Sequence, residues 1–526
     1  MRKYYHCFLV IVFFSVLVVP LDVRGQSSEE SLSNYANGVV TILAWDNNKT
    51  RVGEGCGLAL ADNLIAIPYH FISQATEAEV TSSNGKKSKV EALVAVDHAH
   101  DLALVRLKGK LDVKPLPLGG SGQLVSGAPL AVLAGVNGQI IITSGEMRGW
   151  LELIKDRLRV MSISISLEKP TCGAPIFNNK NEVVGVALVL DSGIKFGVPV
   201  EPLLSLNRSE RGLDLKSASK EIYFETAEGS FLAGKVACLL NEPSTAIRYL
   251  EKYVKLKPGE VEPYLCLGRC YYQLNDFANS YNSYIQALQI KPDDAQGLYG
   301  LGLNLLRQKN FKEATGILEK ALAQGLNAKE AFFELASAYE ELQNYGQAAV
   351  YYQKYVQSEP EHPWNGWFKL AQTYQKNNDV EKAIEAYRQA LKLRPEDINS
   401  NYNLALLLAA SQQYAEAEQV YKKLIELNPR DSVFYYNHII QMYDQAGLYE
   451  NALEAVKKII ELNPKSEVAV YNLGIMYFKL NRLEEAAKTL NDCLALKNDY
   501  SSAWYNLGLV YSKMNRHQEA TEAFKK

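Results

Sequence analysis

The chain has little of several features that would place it in a specialised class of protein. Only seven of its 526 residues are cysteine, and they are too scattered to predict a disulfide framework. No CxxC pair or mixed His and Cys cluster predicts a metal site, and we expect neither metal nor cofactor. The 56 basic residues against 59 acidic ones give no basic excess. Nucleic acid is therefore not an expected partner, since binding its phosphates requires such an excess.

Long hydrophobic runs are also scarce, and the single prominent one lies at the start of the chain. Residues 8–19 form an apolar run behind a basic N-terminus, and small residues stand at Val23 and Gly25. This pattern predicts a signal peptide over residues 1–25. The alternative is a membrane anchor, but the run falls short of the ~20 residues that cross a bilayer. We therefore expect an exported protein, periplasmic or extracellular, with no membrane span after signal cleavage.

The second half of the chain repeats with a period of about 34 residues. Eight of the nine units have a small residue at position 8, and eight have an alanine at position 20, so two antiparallel helices can approach closely. A proline follows most of the second helices, at Pro258, Pro292, Pro360, Pro395, Pro429 and Pro464. The pattern resembles the tetratricopeptide repeat (TPR). We predict an all-α TPR array over residues 227–526 with nine repeats, the last one incomplete.

A TPR array curves into a superhelix, and its resemblance to this family implies a protein or peptide partner in the concave groove. Position 6 of the last four repeats holds Asn403, His438, Asn472 and Asn506. Asparagine both donates and accepts hydrogen bonds, so these residues are candidates for binding a peptide backbone. The arrangement resembles the asparagine ladder in the repeats of O-linked N-acetylglucosamine transferase. The alternative is that these are solvated polar positions.

The first half reads as short β-rich runs separated by Gly, Asn and Asp, which predicts an all-β barrel or sandwich over residues 30–206. A polar segment, 207–226, is the predicted linker to the repeats. Three motifs occur in order: Gly55-Cys-Gly leading to His70, then Asp101-Leu-Ala-Leu, then Pro170-Thr-Cys-Gly-Ala-Pro. Together they resemble the HtrA-type, trypsin-like (chymotrypsin-fold) proteases. The expected fold is thus a trypsin-like double β-barrel followed by an all-α TPR solenoid.

The resemblance implies three catalytic roles. His70 would be the general base, Asp101 the group that orients it, and Cys172 the nucleophile where the family has serine. The alternative for His70, which follows an apolar strand, is a hydrogen-bonded core histidine. Cys56 is expected near the nucleophile, so a Cys56–Cys172 disulfide is a further alternative.

The predicted oxyanion-hole region, Pro170, Thr171 and Cys172, departs from the family pattern. Pro170 stands where the family has a glycine whose N–H stabilises the oxyanion, and proline has no N–H. Losing one such donor costs about 10²–10³ in rate. We therefore expect an interaction protein that binds through its TPR solenoid and carries a degenerate active site. The alternative is an active endopeptidase that uses Cys172, His70 and Asp101, with the repeats docking a substrate or regulator.

Overall fold

The computed structural model describes residues 29–136, 138–154, 157–218 and 220–526. The predicted signal peptide, 1–25, lies outside these residues. The chain divides into two compact units, Met1–Pro292 and Asp293–Lys526. Within the described ranges, no helix is both long enough and apolar enough to cross a membrane.

The first unit begins with a closed antiparallel barrel of six strands in the order β1-β2-β3-β6-β5-β4. Its core is formed by inward-facing aliphatic side chains such as Ile42, Leu58 and Val105, which are fully buried. A short helix, α1, precedes the barrel. The element bounds are α1 Glu29–Ser33, β1 Val39–Trp45, β2 Arg51–Ala61, β3 Leu64–Pro68, β4 Glu77–Ser82, β5 Lys87–Asp97 and β6 Leu102–Leu107.

A second closed barrel follows, with strand order β10-β11-β12-β9-β8-β7. Glycine is required where its strands approach most closely: a Cβ on Gly185 would lie 2.1 Å from Cε of Met161. A short helix, α2, ends the barrel. The bounds are β7 Pro129–Val136, β8 Gln139–Ile154, β9 Leu158–Ile163, β10 Pro175–Phe177, β11 Val183–Val189, β12 Lys195–Pro199 and α2 Glu201–Ser205.

The segment predicted as a linker is hydrogen bonded to the first barrel. Leu213 and Leu93 exchange two backbone hydrogen bonds of 2.8 Å. The Arg106 guanidinium donates to the carbonyl oxygens of Glu210 and Arg211 at 2.8 and 2.6 Å. The path of the chain from the second barrel to the helices is therefore fixed by contacts with the first barrel.

Helix pairs make up the rest of the molecule, as the repeat period predicts. In the first unit they are α3 Ala227–Leu239, α4 Pro243–Leu256, α5 Val261–Gln273 and α6 Phe277–Ile290. In the second unit they are α7 Ala295–Arg307, α8 Phe311–Ala323, α9 Lys329–Glu341, α10 Tyr345–Gln357, α11 Pro363–Lys376, α12 Val380–Leu393, α13 Ile398–Ala410, α14 Tyr414–Leu427, α15 Ser432–Gln445, α16 Tyr449–Leu462, α17 Glu467–Lys479, α18 Leu483–Leu496, α19 Ser501–Lys513 and α20 His517–Phe524.

Small residues set the spacing within each pair. A Cβ on Gly302 of α7 would lie 2.5 Å from Cδ2 of Leu318 on α8, so only glycine fits at this crossing. Ala314, at repeat position 20, is fully buried in the same pair. Two residues beyond the end of each first helix lies a residue with positive φ, such as Lys309 at 60° after α7, and it turns the chain into the second helix. The predicted fold class, a double β-barrel followed by a helical repeat array, is confirmed.

Candidate functional site

Strand pairing in the first barrel brings His70 and Asp101 together. His70 lies in a 3₁₀ turn directly after β3, and Asp101 lies directly before β6. These two strands pair with Pro68 opposite Leu102, so the residues just beyond them are neighbours. Asp101 is fully buried and has a positive φ of 55°. Aspartate tolerates this conformation better than most residues, and strain of this kind is common at functional sites.

The Asp101 carboxylate holds the imidazole of His70 in one orientation. Its Oδ2 lies 2.5 Å from Nδ1 of His70, and its Oδ1 accepts the backbone N–H of the same residue at 2.8 Å. The arrangement leaves Nε2 of His70 directed away from the carboxylate. This is the geometry that a general base in a catalytic triad requires.

Cys172, the third residue of the predicted triad, comes from the second barrel. It follows a 3₁₀ turn, Lys169–Thr171, and precedes β10. Its sulfur accepts the backbone N–H of Val189 at 3.4 Å and lies 3.9 Å from the carbonyl oxygen of the same residue. It is near enough to His70 to raise the pKa of the imidazole. Only 3% of the Cys172 surface is exposed. The structure therefore brings His70, Asp101 and Cys172 together, with a sulfur that solvent barely reaches.

The charge of the triad is set by two opposing effects on His70. Burial lowers the pKa of its imidazole, but the Asp101 carboxylate, and to a smaller extent the nearby Cys172, raise that pKa by more, to about 10. The pairing therefore favours the protonated form of His70. A protonated imidazole stabilises a thiolate but cannot accept a proton from a substrate or thiol.

The backbone at Pro170, Thr171 and Cys172 offers no amide to an oxyanion. Pro170 has no N–H. The N–H of Thr171 donates to the carbonyl of Glu168 at 2.9 Å, and the N–H of Cys172 donates to that of Lys169 at 3.0 Å. The turn is further closed by the Thr171 hydroxyl, which donates to the Glu168 carbonyl at 2.7 Å. Of these three residues, Pro170 therefore lacks an N–H, and the other two donate theirs to backbone carbonyls of the same turn.

Cys56 lies beside the nucleophile but is not bonded to it, and both cysteines are free thiols. The backbone N–H of Cys56 donates to the carbonyl of Cys172 at 2.7 Å. Its Sγ lies 3.4 Å from the Pro170 oxygen and 3.5 Å from that of Gly135. Burial raises the pKa of Cys56 to about 12, so it remains a neutral thiol. The alternative Cys56–Cys172 disulfide is not formed in this structure.

An aromatic residue outside the predicted site, Phe224, packs against His70, and its neighbour Tyr223 anchors the segment that carries it. The Phe224 ring lies 5.3 Å from the His70 ring, centroid to centroid, and 6.0 Å from that of Tyr249 on α4. Tyr223 is buried and anchors the segment, because its hydroxyl donates to the carbonyl of His98 at 2.6 Å. Sequence reasoning missed both residues because they fall in the predicted linker. Two adjacent aromatics in that otherwise polar segment were the available signal.

The four predicted peptide-binding residues are half-buried on first helices of the second unit. The Asn506 amide donates to the hydroxyl of Tyr471 at 2.9 Å. His438 lies among aromatic rings: its Nε2 is 3.1 Å from the hydroxyl of Tyr402, and its ring stacks on Tyr421. Burial lowers the pKa of His438, so its imidazole is neutral at pH 7.

The other two members of this set, Asn403 and Asn472, differ in their contacts. The Asn403 amide donates to the backbone oxygen of Asn399 at 2.9 Å, within its own helix. Asn472 is half-buried one repeat before Asn506. The set therefore does not form four equivalent positions.

Among the residues described, no group of three or more His, Cys, Asp or Glu side chains is arranged to hold an ion.

Comparisons with known proteins match the two parts of the chain separately. The profile of the trypsin-like peptidase domain matches residues 55–186. Tetratricopeptide repeat profiles match residues 268–309, 299–363, 368–432, 445–507 and 501–526.

Individual relatives match over limited lengths. The anti-sigma-I factor RsgI9 of Acetivibrio thermocellus is 32% identical over 28% of this chain and 21% of its own length. The mitochondrial serine protease HTRA2 of Bos taurus is 28% identical over 30% of this chain and 37% of its own. A solved TPR protein, YrrB, is 20% identical, with a TM-score of 0.32 over 34% of this chain and 92% of its own. The chain thus spans well under half of the length of the two curated relatives.

Proposed function

Because the chain consists of a trypsin-like peptidase domain followed by tetratricopeptide repeats, we propose that it is an exported interaction protein that binds a protein or peptide partner in its TPR groove. The peptidase domain serves as a folded platform with a degenerate active site. Export rests on the basic N-terminus and the apolar run at residues 8–19.

The state of the backbone amides carries this proposal. Acyl transfer by a protease of this fold stabilises a negatively charged oxygen with two backbone N–H groups. Pro170 has none, and the N–H of Cys172 is held by the carbonyl of Lys169 at 3.0 Å. The missing N–H of Pro170 alone costs about 10²–10³ in rate, and an oxyanion must compete with the Lys169 carbonyl for the other donor.

Limited access to Cys172 also supports a degenerate active site. Cys172 is 3% exposed, and the Phe224 ring covers the imidazole that would activate it. A substrate carbonyl must come within about 3–3.5 Å of the attacking atom. Reaching Cys172 would therefore require the segment around Phe224 to move.

Labelling with a thiol-reactive peptidyl electrophile tests the degenerate site directly. We expect the native full-length protein to leave Cys172 unlabelled and to hydrolyse no peptide substrate, and unfolded protein to be labelled at the same cysteine. The matched control is His70→Ala. Labelling of Cys172 in native protein that depends on His70, together with peptide hydrolysis, contradicts the proposal.

An active cysteine endopeptidase is the second candidate, and the triad geometry favours it. The 2.5 Å contact between Asp101 and His70, and the nearness of Cys172 that helps to raise the pKa of His70, suit a thiolate–imidazolium pair. In this case the repeats dock the substrate or a regulator. The labelling experiment separates the two candidates, because only the active enzyme reacts through His70.

The affinity for a peptide in variants of the predicted peptide-binding residues tests the proposed role of the repeats. A peptide selected against the full-length protein should bind more weakly to Asn472→Ala, because one backbone-directed hydrogen bond of about 0.5–1.5 kcal/mol is lost. That corresponds to a roughly 2–10-fold rise in Kd. The control is Gln419→Ala, an exposed amide on α14, the second helix of the pair two before that of Asn472. Equal affinity for both variants would place the binding surface elsewhere.

A further inference from the structure

The first and second helices of the last four repeats differ sharply in charge. The first helices α13, α15, α17 and α19 hold four Asp, Glu, Lys or Arg residues between them. The second helices α14, α16, α18 and α20 hold sixteen. Earlier first helices are not alike in this respect, since α9 alone holds five. The lack of charge is therefore particular to these four first helices.

One side of these four helices is uncharged although solvent reaches it. Repeat positions 2, 5, 6 and 9 are spaced i, i+3, i+4 and i+7, so they share one side of a helix. Position 6 holds the four predicted peptide-binding residues, and on α17 the set is Val468, Tyr471, Asn472 and Ile475. We call these positions of the four helices the first-helix face. All sixteen of its residues are exposed or half-buried, and none is Asp, Glu, Lys or Arg.

Contacts between neighbouring first helices follow one pattern along this face. The Tyr402 ring lies 5.8 Å from that of Phe434, and the Tyr402 hydroxyl lies 3.1 Å from Nε2 of His438. Two repeats further on, the Asn506 amide donates to the hydroxyl of Tyr471 at 2.9 Å. In both places a tyrosine at position 5 meets position 6 of the next repeat, so the face continues from one helix to the next.

The carboxamides on this face keep hydrogen-bonding groups for a ligand. Asn403 and Asn506 donate their N–H groups inside the protein, but their side-chain oxygens accept no hydrogen bond from a residue that the structure describes. The Asn472 carboxamide makes none at all with the described part of the chain. A neutral carboxamide can pair with a peptide N–H or carbonyl whatever side chains the peptide carries.

Apolar side chains lie exposed beside these carboxamides. Phe434, Val468 and Tyr505 are 50%, 51% and 58% exposed. Of the few charged residues on the same helices, Asp444 and Lys479 form an ion pair with each other. A charged ligand group would therefore lose water on this face without finding an unpaired opposite charge among its sixteen positions, which is costly.

We propose that the first-helix face binds an extended peptide segment that is uncharged and carries aromatic or branched aliphatic side chains. This assignment rests on the proposed function, because it gives the chemistry of the peptide that the repeats bind. The carboxamides of Asn403, Asn472 and Asn506 bond to the peptide backbone, and the apolar side chains of the peptide pack on Phe434 and Tyr505. Charged segments are rejected because their charges would be desolvated without a partner.

Selection from a random peptide library displayed on phage, with the native full-length protein as the target, tests the chemistry of the ligand. We expect the enriched peptides to share a stretch without Asp, Glu, Lys or Arg that carries aromatic or branched aliphatic residues. Enrichment of acidic or basic peptides would overturn the assignment, and the proposed function would still stand if Asn472→Ala weakens their binding. No enrichment at all would contradict the proposed function and this assignment with it.

A lysine scan of the best peptide, with Kd measured by fluorescence anisotropy, tests the face itself. Lysine in the shared stretch should weaken binding about tenfold or more. Asn472→Asp supplies an opposite charge, so at one or more peptide positions that loss should shrink about fivefold. Asn403→Asp repeats the test on α13, with circular dichroism checking that both variants fold.

Gln419→Glu is the matched control, because it adds a negative charge at an exposed amide of α14, outside the face. It should leave the effect of every lysine unchanged. The assignment is wrong if lysine is tolerated throughout the peptide, if neither aspartate variant reduces the loss, or if Gln419→Glu reduces it equally.

Discussion

Restoring an amide at position 170 tests the proposal that a missing oxyanion donor keeps the predicted triad from catalysing hydrolysis. Pro170→Gly and Pro170→Ala both supply a backbone N–H where the proline ring now stands. The rest of the triad already has its geometry, with Asp101 and His70 2.5 Å apart. If the missing donor limits catalysis, either substitution alone should raise the rate.

The size of the gain follows from the hydrogen bonds of the turn. One oxyanion donor contributes about 3–4 kcal/mol, or 10²–10³ in kcat. The second donor, the N–H of Cys172, is held at 3.0 Å by the carbonyl of Lys169. A hydrogen bond of this kind has a net value of about 0.5–1.5 kcal/mol, so a developing oxyanion can compete for it. We therefore expect about a 10²-fold rise in kcat, with KM nearly unchanged because the donor acts in the transition state.

The assay is hydrolysis of a peptidyl ester by full-length protein, with the acyl-enzyme on Cys172 detected by mass spectrometry. Esters are suitable because their leaving group needs no protonation to depart, so the oxyanion step dominates. Pro170→Gly combined with His70→Ala is the control, and it should show no gain. The reasoning fails if the unaltered protein turns over as fast as Pro170→Gly, or if the variant acylates Cys172 without any rise above the control.

Two further predictions concern the triad and the repeats. In Asp101→Asn the pKa of His70, observed by NMR, should fall well below about 10, because the variant loses the carboxylate charge, which is the largest effect that raises it. Since the folded pKa is raised, the pair stabilises the native protein fully below about pH 6.5, and this contribution is lost as the pH rises through about 10. In the array, Gly302→Ala would clash with Leu318 and cost about 1–3 kcal/mol in denaturant unfolding, whereas Gly316→Ala, with open space around its Cβ, should be neutral or stabilising.

The parts of the fold that the sequence predicted well depend on local rules. Proline after a helix and a small residue at a helix crossing act within one repeat, so the period alone predicts the pairs that contain Gly302 and Ala314. The triad was predictable for a related reason. His70 follows β3 and Asp101 precedes β6, and the resemblance to the protease family implies that these strands pair. The two residues are therefore neighbours at the same end of the strand pair.

The features that the sequence did not reveal depend on distant contacts or on backbone angles. Phe224 covers His70 only because the segment before α3 is held against the first barrel, and no periodicity reports that packing. The N–H of Cys172 turns inward because of the 3₁₀ turn at Lys169–Thr171, which is a matter of φ and ψ. Likewise, the repeat position of His438 was evident, but not the three aromatic rings around it.

The contact between Asp101 and His70 is weak evidence for catalysis, because a buried carboxylate needs hydrogen-bond partners whether or not the protein is an enzyme. Asp101 is fully buried, and a buried carboxylate must be paired or hydrogen bonded. The backbone N–H and imidazole of His70 satisfy both of its oxygens, so replacing His70 would leave a charge unpaired at the base of the barrel. Structural need thus preserves the pair even where no reaction occurs. The turn at Pro170 has no such double role, since an oxyanion hole is needed only for acyl transfer. Its amides, rather than the triad, therefore distinguish an enzyme from a binding platform.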